Sequence, residues 1–218
     1  MPKQFDLIVW DWDGTLADST GMITNAILKA AEQVGLPALT PQAASNIIGL
    51  GLRESIEALY GNIPAEKAQA LATQYTANYY AGESEIPLFL GAADTIVELS
   101  KRGFKLAVAT GKGRRGLNMA LEHCGLGKYF HGTRTVDECF SKPHPQMLDE
   151  LMDHLVALPE RTLMIGDTSY DLQMAQNAGV SSVGVTYGAQ PADQWEHFNP
   201  IQKFENFDTL SEWLLEHA

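Results

Sequence analysis

Cysteine is scarce in this chain: Cys124 and Cys139 are the two among 218 residues. They stand too far apart for a CxxC motif, and two cannot build a dense disulfide framework, so a reduced, cytoplasmic protein is expected. Basic residues are also few. Fifteen Lys and Arg face 27 Asp and Glu, for a formal net charge of -12. A field of that sign repels a nucleic-acid backbone, which argues against DNA or RNA as the main partner. It repels a phosphorylated metabolite as well, unless a local cation inverts the field at the binding site. The early apolar run Leu7-Ile8-Val9-Trp10 is far shorter than the about 18 residues of a membrane span. Asp6 precedes it, so neither a signal peptide nor a membrane partner is expected. Gly/Ser linkers, low-complexity tracts, internal repeats and clusters of His and Cys are all missing. A monomer or weak homodimer is the expected state.

What remains is ordinary globular composition, 45% hydrophobic and 19% charged. The length suits one domain of about 200 residues, or a core of about 150 with a smaller insert. Residues 7–10 form a continuous apolar run, as in a strand buried on both faces of a parallel sheet. Segments 105–109, 162–165 and 182–185 repeat the theme, and helical spacing follows the first two. Strands alternating with helices predict a doubly wound parallel α/β sheet with right-handed crossovers. Gly103, Gly125 and Gly179 stand where glycine ends a helix. From Asp18 to about Phe89 the pattern is helical throughout, with Met22, Ile23, Ala26, Ile27, Ala30, Ala31 and Val34 on one face. The expected organisation is a core of residues 1–17 and 89–218 carrying a helical insert, 18–88.

Ligands of open parallel sheets gather at the carboxyl ends of the strands. Here the first strand ends in Asp11-Trp12-Asp13-Gly14-Thr15, the second in Thr110-Gly111-Lys112, and the third candidate in Gly166-Asp167-Thr168-Ser169-Tyr170-Asp171. Lys142, before Pro143, lies in the connection leading to that third strand. Four carboxylates, a hydroxyl and an ammonium would thus share one edge. Crowded carboxylates repel unless a cation is shared among them, and a hard oxygen-seeking ion such as Mg²⁺ suits this donor set. With Lys142 and Thr110, such an ion would make an anion trap in an acidic protein.

Each residue alone has a plainer use. Asp171 could orient a helix N-terminus, Lys142 could be a solvated lysine, and Asp-Gly commonly closes a strand. Residues 111–116 match GxGxxG, with Asp137 about twenty positions on. A dinucleotide fingerprint, however, belongs at the first βα turn, and here that turn is DWDGT. A P-loop is excluded by Leu106, which stands where glycine is required.

Taken together, Asp11-Trp12-Asp13-Gly14-Thr15-Leu16 resembles the DxDGT motif of the haloacid dehalogenase-like hydrolases. Thr110 falls on that family's second motif, Lys142 on its third, and Gly166-Asp167-Thr168-Ser169-Tyr170-Asp171 on its fourth, GDxxxD. The insert resembles the family's helical C1 cap. Gly91, Ser141-Lys142-Pro143-His144-Pro145 and residues 175–179 are similar to the phosphoglycolate phosphatase-like branch. Gly111 departs from the Asn common there, leaving the phosphate contact to the backbone amide. Trp10 and Trp12 replace smaller apolar residues.

The resemblance implies a Mg²⁺-dependent phosphomonoester hydrolase acting on a small phosphorylated metabolite. Asp11 would attack phosphorus, and Asp13 would protonate the leaving alkoxide and then deprotonate water. Thr110 and Lys142 would hold phosphoryl oxygens. Asp11, Asp13 through its carbonyl, Asp167 and Asp171 would hold the metal. Trp12, Gly111, Lys112 and, in the cap, Arg53 are expected to meet substrate, Arg53 through a carboxylate or second phosphate. Phosphomutase chemistry and phosphometabolite binding without turnover are the rival expectations. A dehalogenase would have no use for Asp13.

Overall fold

The computed structural model describes residues 4–82, 86–195 and 197–217. Six parallel strands form one sheet in the order β3-β2-β1-β4-β5-β6. They are β1 (Leu7–Trp10), β2 (Lys105–Thr110), β3 (Gly132–Thr135), β4 (Thr162–Gly166), β5 (Ser181–Val185) and β6 (Gln202–Phe204). β1 pairs with β2 on one side and with β4 on the other, Val9 lying opposite both Ala107 and Met164. The chain order reverses at β1, so a crevice opens at its carboxyl end.

All four side chains of β1 are fully buried. Because successive side chains alternate between faces, Ile8 and Trp10 enter one apolar cluster while Leu7 and Val9 enter the other. Helices α5 (Ala92–Lys101), α6 (Arg114–Cys124) and α9 (Phe207–His217) cover the first face through Ile96, Leu99, Leu117, Leu210 and Leu214. Helices α7 (Gln146–Leu155) and α8 (Ser169–Asn177) cover the second through Met147, Leu148, Leu151 and Met174. Each such side chain contributes on the order of 1.5–3 kcal/mol by leaving water.

The four apolar segments expected to be strands are β1, β2, β4 and β5. The two further strands, β3 and β6, are the edges of the sheet. The sequence of β3 is Gly-Thr-Arg-Thr, and that of β6 has Phe204 as its one apolar residue. Neither edge needs both faces buried, so neither carries the hydrophobic run that marks an inner strand.

Between β1 and α5 the chain forms helices α1 (Thr20–Val34), α2 (Pro41–Asn46), α3 (Leu52–Tyr60) and α4 (Ala65–Tyr80). They bury their own cluster around Ile27, Ala30, Ala31, Ala44, Ile56 and Leu71. Gly35, in the left-handed conformation, ends α1 by donating to the carbonyls of Ala31 and Glu32. The turn after α2 is tied to the loops above the sheet. Ser45 donates to the Ala189 carbonyl at 2.8 Å, the Gly51 amide to Ser141 Oγ at 2.9 Å, and Tyr170 and Gln190 both donate to the Asn46 carbonyl at 3.1 Å. Among the described residues, no helix is long and apolar enough to cross a membrane.

Candidate active site

Asp11 directly follows β1, and its amide extends the ladder by donating to the Ile165 carbonyl at 2.9 Å. That pairing holds the carboxylate at the strand's end, where it is 1% exposed. Lys142 Nζ donates to Asp11 Oδ1 and to Asp171 Oδ1, both at 2.6 Å, and all three side chains are buried. Asp171 also begins α8: its Oδ2 accepts from Thr168 N at 3.1 Å and Thr168 Oγ1 at 2.7 Å in a reciprocal capping box. Helix capping and site construction are therefore both performed by this one carboxylate. Asp167 is held at both oxygens, Oδ1 accepting from Thr15 Oγ1 at 3.1 Å and Oδ2 from Ala189 N at 2.6 Å.

Burial pushes the Asp11 carboxyl up to about 7; Lys142 opposes the shift and Asp171 adds to it. Asp167 is raised for the same leading reason, with Asp11 and Asp171 contributing. For Lys142 burial works against the ammonium, but Asp11 and Asp171 together outweigh it and hold the lysine protonated. One ammonium thus faces three buried carboxylates, and oxygens of Asp11, Asp167 and Asp171 lie within 4.8 Å of one another. Asp11 Oδ2 is buried with no hydrogen-bond partner. A divalent cation with a preference for hard oxygen fits both the excess negative charge and that orphaned oxygen.

The Asp13 side chain is directed elsewhere. It accepts from Ser19 Oγ at 2.8 Å and from Lys112 Nζ at 3.1 and 3.2 Å. Gly14, at φ +83°, makes the turn between them, and a Cβ there would stand 2.2 Å from Asp167 Oδ2. Lys112 also donates to the hydroxyl of Tyr79 on α4, so it joins the core loop to the helical insert. Thr110 is buried at the end of β2 and accepts from the Lys112 amide at 3.1 Å.

Asp11, Asp13, Thr110, Gly111 and Lys112 line one cavity of about 230 Å³ beneath the insert. Trp12 does not reach it. It is 2% exposed, meets Phe130 edge-on at 6.5 Å, and borders a second cavity beside α6 that shares Tyr79, Tyr80 and Lys112 with the first. Arg53 is exposed on α3 and is not part of the cavity wall. The structure therefore gathers the core residues and leaves these two aside, Arg53 because its helix turns Leu52 and Ser55 inward instead.

Three contributors were not visible beforehand. Ser19 and Tyr79 act through Asp13 and Lys112, a relationship set by packing. Asp137 accepts from the Arg114 amide at 2.6 Å and lines the cavity. Its one signal was its spacing from the glycine-rich loop. That bond also occupies the start of α6 with a carboxylate, and the loop follows β2 rather than β1, unlike a dinucleotide site.

Residues 8–185 match the family model for haloacid dehalogenase-like hydrolases, and the chain belongs to that family. Among its relatives, "Probable phosphatase IndB" of Dickeya dadantii is 33% identical over 211 residues, spanning 94% of this chain and 91% of that protein. Pyrophosphatase PpaX of Anoxybacillus flavithermus is 28% identical, over 93% and 94% of the two chains. A solved structure described as a predicted phosphatase from Clostridium acetobutylicum superposes with a TM-score of 0.86 at 26% identity, covering 98% of this chain and 100% of that one. The protein is a phosphatase of this family.

Proposed function

We propose that the protein is a Mg²⁺-dependent phosphomonoester hydrolase that works through an aspartyl phosphate on Asp11 and acts on a small phosphorylated metabolite. The observation that carries this reading is the buried, unpartnered Asp11 Oδ2 at the end of the central strand, with Lys142 fixed 2.6 Å from the other oxygen of the same carboxylate. An anionic nucleophile held by a neighbouring cation, beside a cavity rather than within a closed core, is suited to in-line attack on phosphorus.

In the first half-reaction Asp11 bonds to phosphorus as the bond to the alcohol oxygen breaks, and Asp13 protonates the departing alkoxide. In the second, Asp13 takes a proton from water, which attacks phosphorus and releases phosphate and free Asp11. Lys142, the Thr110 hydroxyl and the Gly111 amide bind phosphoryl oxygens. Ser19 and Lys112 keep the Asp13 carboxylate turned toward the cavity. Asp11, Asp167 and Asp171, together with the Asp13 carbonyl, would hold Mg²⁺. Bound there, the ion supplies charge neutralisation of the phosphoryl oxygens and of the crowded carboxylates.

Residues 18–88 act in this reading as a mobile cap domain on a core of 1–17 and 89–218, closing to exclude bulk water. The hydrogen bonds from Ser45, Gly51 and Tyr170 across the junction support a closed position. The two free cysteines suit a reducing cytoplasm.

The test is phosphate release from a panel of phosphomonoesters, with and without Mg²⁺, by wild type and Asp11→Asn. Metal-dependent release, equimolar with the alcohol and abolished in the variant, is the expected result. Phosphoryl return to a second sugar hydroxyl without net phosphate would show a mutase instead.

A further inference from the structure

The wall of the catalytic cavity beyond Asp11 and Asp13 is mostly apolar on the insert side, with Ile23, Ile27, Ile47, Leu52 and Tyr75, and the hydroxyls of Ser55 and Thr76 that also line it donate to the backbone carbonyls of Ile47 and Ala72. Among the described lining residues Lys112 is the one cation, and its charge is already engaged by both Asp13 oxygens and by the Tyr79 hydroxyl. Asp137 adds a carboxylate to the same wall. Arg53, the insert residue suited to a second anionic group, lies outside it and exposed.

From these placements we infer that the cavity selects phosphomonoesters of small, uncharged, apolar alcohols and discriminates against substrates with a second anionic group. The inference rests on the phosphatase reading above and deepens it to a substrate class. A carboxylate or second phosphate on the alcohol side would lose its water against isoleucine side chains with no cation to meet it. Asp137 would repel it further. An apolar alcohol gains free energy by leaving water, and each methylene fitted into such a wall raises kcat/KM about tenfold or more. The cavity volume of about 230 Å³ lies below that of pockets for drug-sized ligands, so an alcohol confined to it is small.

The experiment compares kcat/KM for benzyl phosphate, 2-phosphoglycolate and inorganic pyrophosphate in the presence of Mg²⁺. The expected result is a preference for benzyl phosphate of at least about tenfold over either competitor. Leu52→Arg, which places a cation on the wall, shifts the ratio about tenfold toward 2-phosphoglycolate. If that variant loses its circular-dichroism signature, the wild-type ratio decides alone. Release from 2-phosphoglycolate or pyrophosphate equal to or faster than from benzyl phosphate, still abolished by Asp11→Asn, overturns the selectivity and leaves the phosphatase reading standing. Release from none of the three or from any other phosphomonoester overturns both.

Discussion

Gly111 and Gly49 lie backbone to backbone where the sheet meets the helical insert: a Cβ on Gly111 would stand 2.5 Å from the Gly49 carbonyl oxygen. The Leu50 carbonyl oxygen, in the same turn, stands 2.8 Å from the same point. Backbone cannot swing away as a side chain can. The glycine is thus required by the close approach of the insert, and this accounts for the absence of Asn at position 111.

The first prediction follows from that approach. Gly111→Ala should force the 49–50 turn off the β2 loop, lowering kcat/KM by about tenfold or more, because small misplacements around a reacting group are costly. Thermal stability should fall little, since the sheet and its helices are not disturbed. Steady-state kinetics beside a melting curve separates the two effects.

Lys142 offers a sharper test of stability. Lys142→Met removes the ammonium and leaves Asp11 and Asp171 buried without their shared partner. Breaking a buried ion pair from one side costs about 3–5 kcal/mol. Denaturant unfolding should show a loss of that size, together with loss of activity. A variant as stable as wild type would mean that the two carboxylates are protonated or solvated in the folded protein.

Metal binding can be read without turnover. The Asp11, Asp167 and Asp171 oxygens lie within 4.8 Å of one another, so Mg²⁺ should stabilise the fold by about 2.7 kcal/mol at a hundred times its Kd. Asp167→Asn retains an acceptor for Thr15 or Ala189 but loses the charge. Its melting temperature should be nearly independent of Mg²⁺. Differential scanning fluorimetry with a magnesium titration, and calcium as a comparison, makes the measurement.

A pH effect is expected at the glycine-rich loop. Arg114 donates to both Glu138 oxygens, at 2.6 and 3.1 Å, and these bonds lead in holding the Glu138 carboxyl below its ordinary value of 4.5. A depressed carboxylate stabilises the fold fully above its unfolded pKa and loses that contribution as pH falls through the folded value. The pair is partly exposed, so the effect is about 0.5–1 kcal/mol after screening. Glu138→Gln should therefore be less stable than wild type at pH 7, and the difference should be smaller at pH 3, well below the ordinary value. Urea unfolding at the two pH values checks it.

Inner strands and strand-end chemistry were legible in the sequence because both are local. Leu7 to Trp10 must be apolar throughout to lie between two helical layers, and the residues that follow such a run necessarily emerge at the sheet's carboxyl edge. Asp11, Asp13, Thr110, Asp167 and Asp171 could be assembled from that rule, whereas Lys142 follows the edge strand β3 and was placed by its position before Pro143 and by the family motif it resembles. Trp12, Arg53, Ser19, Tyr79 and Asp137 could not be placed this way. Alternation turns Trp12 away from the cavity, while the helical phase of α3 decides that Leu52 faces inward and Arg53 outward. Tyr79 meets Lys112 only because α4 lies across the β2 loop, at residues 33 apart in the chain. Local pattern and strand order thus determined where the phosphate chemistry collects. The apolar wall, the occupied Lys112 and the Gly49–Gly111 approach were decided by how the insert packs on the sheet, since contacts between separately folded layers depend on the relative placement of whole elements and leave no periodic trace in either one.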